Sequence, residues 1–146
     1  MSDALRLVVD IQVLLSGVTS SKGPSFDLWQ AARRFDVVLV LCEGHFLELA
    51  RVLTYPQVLA LGNGALTPSV SFQFAAQLFH VGEYYAHVPS TAWPSCPDPK
   101  DWYLLDLLML SKADGLISKD EHLLGLAGRL GLPMMAPKEL VRLGLI

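Results

Sequence analysis

The sequence predicts an α/β fold, a single three-layer α/β/α domain around a mostly parallel sheet of about five strands. Three observations carry this reading. Short runs of branched apolar residues recur along the chain with helical stretches between them, the pattern of a sheet built through helical crossovers. Hydrophobic residues make up 52% of the chain and charged residues only 17%, which fits strands covered on both faces. The 146 residues match one ordinary domain, and no repeat, low-complexity stretch or linker divides residues 1–146.

Leu5 to Val9 is an apolar run that ends at Asp10 and reads as a buried strand. A loop of turn residues is expected from Ser16 to Gly23. Pro24 then opens a helix through Arg34, with Phe26, Trp29 and Ala32 or Arg33 at helical spacing. Asp36 to Leu41 is a second strand, and Glu43 to Leu53 a helix with an apolar stripe of Phe46, Leu49, Ala50 and Leu53. A short helix from Pro56 to Leu61 is closed by Gly62-Asn63-Gly64. Thr67-Pro68 caps and starts a helix to about His80. Glu83 to Val88 is the next strand, followed by a stiff loop from Pro89 to Pro99 with prolines at 89, 94, 97 and 99. An apolar helix runs from the Asp98-Pro99-Lys100-Asp101 start to Lys112. Gly115 to Ser118 is a strand, Glu121 to Arg129 a helix, Met134-Met135 a short strand, and Pro137 to Leu143 the last helix.

Composition narrows the function. No apolar run reaches the ~18–20 residues that cross a bilayer, and MSDALRLVVD lacks the features of a signal peptide, so the expected place is the cytoplasm, without membrane attachment. Cys42 and Cys96 stand alone in sequence and read as reduced thiols. The net charge is −3, with 11 Lys and Arg against 14 acids. Such a chain has no electrostatic surplus for gripping phosphates, so nucleic-acid binding would need bound metal to supply positive charge. The apolar excess, with Phe72, Phe74 and Phe79 taken as exposed on the Thr67–His80 helix, predicts a homodimer.

Four acids stand at element boundaries or helix starts: Asp10 after the first strand, Glu48 in the helix after the second, Asp101 at the start of the long apolar helix, and Asp120 after Gly115–Ser118. Ligands of parallel sheets gather beyond the carboxyl ends of the strands, and Asp10 and Asp120 open onto that edge. Each acid also has a structural role open to it. Asp10 suits a turn, Glu48 an ion pair with Arg51, Asp98 and Asp101 the capping of a helix start, and Asp120 the N-cap of the helix that follows. Together they form the kind of carboxylate cluster that a cation neutralises, and oxygen donors without paired Cys or His select Mg²⁺ or Mn²⁺ over zinc.

In their order and spacing these motifs resemble those of the PIN-domain family, and especially its branch of toxins from toxin–antitoxin modules. The resemblance covers nearly the whole chain. LRLVVDIQVLLSG resembles the family's strand ending in Asp-Thr-Asn-Val, and LCEGHFLELARVL its helix that presents a glutamate. CPDPKDWYLLDLLMLSKADGLISKDEHLL is similar to that branch's Cys-x-Asp-Pro-x-Asp segment, helix and closing Thr-Gly-Asp-x-x-Leu, and PMMAPKELVRLGL to its last strand and helix. The resemblance implies a metal-dependent ribonuclease acting on single-stranded RNA, with an antitoxin protein as partner. It assigns Asp10, Glu48, Asp101 and Asp120 to Mg²⁺ or Mn²⁺ and to catalysis, with Asp98 as an additional acid. Ser16, Ser118 and Gln12 fall at substrate-contacting positions. The chain departs from the pattern at Ile11 and Gln12, where the family has Thr and Asn, and at Trp102 and Tyr103, where polar residues are usual.

A PIN-like protein that binds RNA or a partner without cutting is the alternative. A receiver-like signalling module needs paired acids early in the chain, and only Asp3 and Asp10 are there. His45, His80, His87 and His122 have no metal-ligand spacing. No phosphate-binding G-x-x-x-x-G-K-[ST] loop or G-x-S-x-G elbow is present. Trp93 and Tyr103 are open to either base stacking or packing.

Overall fold

The computed structural model describes residues 4–56, 60 and 67–146; the helix expected over Pro56–Leu61 and its glycine breaker fall largely outside them. Five strands, β1 (Leu5–Val9), β2 (Val37–Cys42), β3 (Gly82–Tyr85), β4 (Gly115–Ile117) and β5 (Met134–Met135), form one sheet in the order β3-β2-β1-β4-β5. Every pairing is parallel. Two-residue alternation sends side chains to two cores. Leu7, Val9, Leu39, Leu41 and Ile117 enter one, while Val8, Val40 and Leu116 enter the other.

Helices α1 (Ile11–Thr19), α2 (Pro24–Arg33), α3 (Glu43–Val52), α4 (Pro68–Val81) and α8 (Pro137–Arg142) cover the first face. The second is covered by α5 (Trp102–Ser111), which follows a 3₁₀ turn at Pro99–Asp101, with Leu123 of α6 (Glu121–Leu124) and the neighbourhood of α7 (Ala127–Leu130). Leu104, Leu105, Leu107 and Leu108 fill that side, while Met109 and Leu110 face solvent. Among the described residues no helix is long and apolar enough to cross a membrane.

Several elements differ from their sequence reading. The loop expected from Ser16 begins only after Thr19, because Asp10 caps a helix that buries Ile11, Val13, Leu14 and Leu15; burial overrides the weak helix preference of its branched residues. On α3 the buried positions are His45, Leu49 and Val52, and Ala50 is exposed. On α4, Phe72 and Phe79 are exposed as expected, but Phe74 is only 1% exposed and packs edge-on against Trp29. Its neighbours Leu78 and Val81 lie on the same helical face. The helix read as Glu121–Arg129 breaks into α6 and α7 around Gly125, turning so that Leu123 and Leu126 both reach the core. Strand β3 stops at Tyr85 because its partner β2 ends opposite, at Cys42.

Candidate active-site cleft

The sheet order reverses at β1, whose neighbours are β2 and β4, and the gap beyond the β1 and β4 carboxyl ends is where such folds place a ligand. The Asp10 N–H donates to the Ile117 carbonyl at 2.9 Å, extending the ladder one residue past β1. The Asp10 carboxylate accepts from the Gln12 N–H at 3.1 Å, capping α1, and from the Ser118 hydroxyl at 3.1 Å. The Ser118 oxygen in turn accepts from the Asp120 N–H at 3.0 Å, and the Asp120 carboxylate accepts from the His122 N–H at 2.9 Å, capping α6. The capping role open to Asp120 is therefore real, and it leaves one carboxylate oxygen free. Burial is the main force raising the Asp10 pKa, opposed by its bonds to Gln12 and Ser118 and reinforced by the Glu48 and Asp120 charges.

The opposite wall comes from α3 and the turn before α5. His45, fully buried, accepts from the Cys42 N–H at Nδ1 (3.2 Å), so the proton sits on Nε2, which donates to the Val9 carbonyl at 3.0 Å. The ring ties the start of α3 to the end of β1, and burial lowers its pKa to about 4. Glu48 lies one helical turn further on, paired with Arg51, which also donates to the Tyr55 hydroxyl.

Asp98 caps the 3₁₀ turn by accepting from the Lys100 N–H at 3.0 Å. Asp101, which ends that turn, has no side-chain capping bond. Its pKa is pushed up to about 7, first by burial and then by the charges of Asp10, Asp98, Asp120 and Glu48.

Asp10, Glu48, Asp98, Asp101 and Asp120 line one cleft of about 490 Å³. Gln12 and Ser16 stand on its wall as well. Ser118 does not: it is 0% exposed and holds Asp10 and Asp120 from behind. Arg51, expected as the partner of Glu48, borders the cleft, as do two cations that the sequence reading passed over, Lys100 and Lys119. The signal was present in the repeated Lys-Asp pair at 100–101 and 119–120. Trp102 turns away, its indole N–H donating to the Cys96 carbonyl at 3.1 Å, and Trp93 is anchored to Asp106 at 2.9 Å.

Among the described residues no three His, Cys, Asp or Glu side chains already stand in position to hold one ion. The donor chemistry nevertheless fits a hard divalent cation: the cleft offers oxygen donors, five of them carboxylates, with no Cys or His on its walls, and Asp101 is half-buried amid like charges. The sequence model of the PIN domain matches residues 6–122. The chain belongs to the PIN-domain family. PIN domains are in general nucleases and typically bind divalent metals. The matched span runs from β1 to α6 and holds all five acids that line the cleft of this PIN domain, while α7, β5 and α8 lie beyond it. Among curated proteins, none matches the chain.

Proposed function

We propose that this PIN domain is a Mg²⁺- or Mn²⁺-dependent endoribonuclease that hydrolyses phosphodiester bonds of single-stranded RNA, as the toxin of a toxin–antitoxin pair. The observation that supports it best is Asp101, a half-buried carboxylate without a capping bond, pushed to about 7 in a cleft that four other acids share. Its place at the start of α5 suits an acid through the helix dipole but gives it no capping bond, and a cation would relieve the repulsion from its neighbours. Asp10, Asp101 and Asp120 would hold the ion, and Glu48 would be a further ligand or would orient the attacking water. Once bound, the metal would lower the pKa of water and neutralise charge on the scissile phosphate. Ser118 keeps Asp10 and Asp120 at a fixed separation, and Lys100 and Lys119 attract the RNA backbone at the rim. An antitoxin protein is the partner this reading implies. A homodimer is proposed too, through the exposed Phe72 and Phe79, and light scattering at high micromolar concentration tests it.

The decisive experiment incubates the protein with single-stranded RNA and Mn²⁺, beside Asp10→Asn and Asp101→Asn. Each substitution is expected to slow cleavage about 100-fold or more. In melts, metal at one hundred times its Kd should stabilise the wild type by about 2.7 kcal/mol and the variants far less. Equal stabilisation of all three proteins would remove the metal site; RNA bound but uncut would make the domain a binding module.

A further inference from the structure

A second cavity, of about 610 Å³, opens between the start of α3, the end of β3 with the loop after it, and the start of α5. Its aromatic walls are Tyr85, His87, Trp102 and Tyr103. Three of these rings are fixed in place by other parts of the molecule. The Trp102 N–H is bound to the Cys96 carbonyl, and the Tyr85 hydroxyl accepts from Arg6 at 2.6 Å and donates to Glu83 at 2.7 Å. Tyr103 lies so close over Gly44 that a Cβ there would come within 2.3 Å of its ring, and it meets His45 edge-on at 5.3 Å. Rings held this way lose little freedom when something stacks on them, which favours binding.

The charge of the cavity says what can enter. Its acidic side chains are Glu43 and Asp106, with no lysine or arginine on its walls. A phosphate would be repelled, whereas a flat, neutral ring would not. Asp106 is already occupied by the Thr91 N–H at 3.1 Å and the Trp93 indole. Glu43 is exposed, and a carboxylate only accepts hydrogen bonds, so it suits the two N–H donors of the exocyclic amino group of cytosine, adenine or guanine better than the single N3–H of uracil. The place is equally telling. Trp102 and Tyr103 directly follow Asp101, and Glu43 and Gly44 share α3 with Glu48. The two cavities share no lining residue but draw on the same two elements, α3 and the start of α5.

We propose that this cavity is a subsite for one unpaired, amino-bearing nucleobase of the RNA, lying beside the phosphodiester bond held in the acidic cleft. The subsite rests on the nuclease reading above and adds a base preference to it. Uncharged nucleosides test it directly. Cytidine and uridine are titrated by calorimetry into the metal-free full-length chain, its Trp102→Ala and Trp102→Phe forms, and Glu43→Gln. Cytidine should bind more tightly than uridine, and Trp102→Ala should weaken it about 10-fold, the usual effect of losing one stacking partner. Trp102→Phe should restore binding to within about threefold, because a ring face remains. Glu43→Gln, a change on an exposed side chain, should bind cytidine and uridine alike and remains informative if Trp102→Ala does not fold. Absence of nucleoside binding, or equal binding by wild type, Trp102→Ala and Glu43→Gln, overturns the subsite. In that event RNA cleavage with Mn²⁺ leaves the nuclease reading standing. Cytidine binding without any cleavage has the reverse meaning, keeping the base subsite and removing the nuclease. Peptide or protein capture at this face with no nucleoside binding also counts against it.

Discussion

On the wall formed by β1 and β4, Asp10, Ser118 and Asp120 are joined by hydrogen bonds to one another and to the first turns of α1 and α6. On the wall formed by α3 and the turn before α5, Glu48 leans on Arg51 and Asp101 lacks a capping bond. The first wall is part of the fold: its acids are caps and ladder extensions, and they would be kept even by a protein that did nothing. On the second wall Glu48 has an ion pair, whereas Asp101 carries a charge that no hydrogen bond or ion pair among the described residues offsets. An acid that serves structure is weak support for chemistry, and one that strains structure is stronger.

His45 links the walls, since it binds Cys42 on one side and Val9 on the other, and it should give the largest stability effect. Its folded pKa of about 4 lies below the ordinary 6.5. Between those values the unfolded chain binds a proton that the folded one refuses. Stability is therefore complete above pH 6.5 and lost as pH falls toward 4, by up to about 3 kcal/mol. Asp101 acts in the opposite sense. Its folded pKa is raised, so its contribution is present at low pH and disappears as pH rises through about 7. In urea titrations of the metal-free protein the two effects should largely offset each other between pH 7 and 4.5, so stability should fall toward pH 4.5 in Asp101→Asn and rise toward pH 4.5 in His45→Gln. Parallel slopes in all three proteins would mean that neither group titrates as its surroundings require.

Ser118→Ala comes next. It leaves the half-buried Asp120 N–H without its partner and takes a donor from the buried side of Asp10, and it should cost about 1–3 kcal/mol at pH 7 by denaturant unfolding. Arg51→Gln on the other wall removes an ion pair whose members are 33% and 13% exposed, and it should cost less than about 1 kcal/mol. Equal costs would erase the distinction between a built wall and a strained one. Smallest is Tyr103→Phe. The Tyr103 hydroxyl is buried and has no partner among the described residues, so its removal should leave stability unchanged or raise it by about 1 kcal/mol.

Much of this was readable before any coordinates. Branched apolar runs located β1, β2 and β4, and the acids after β1 and β4 followed from where those runs stop; β3 (Gly-Glu-Tyr-Tyr) and β5 (Met-Met) were placed without such a run. Helix α1 was missed because Ile11, Val13 and Val18 favour strands locally, and only the buried groove beside α2 makes them helical. The error at Phe74 came from grouping three phenylalanines by type, although Phe74, Leu78 and Val81 share a face at helical spacing and Phe72 does not. His45 carried no local signal, since its role depends on a carbonyl 36 residues away. Ser118 was found by its place in the motif, but that it faces inward could be seen only once β1 and β4 were paired.

That pairing has a consequence in time. Asp10 and Ser118 are 108 positions apart, and β1 waits for β4 while β2, α3, β3 and α5 are laid down between them. A ribosome adds about 5–20 residues each second, so the growing chain spends several seconds with its first acid exposed and its last not yet made. Contacts that close so long a loop form late. A nascent or truncated chain ending before β4 therefore has no cleft, and whatever the finished protein does to its target, it cannot begin on the ribosome that is still making its middle.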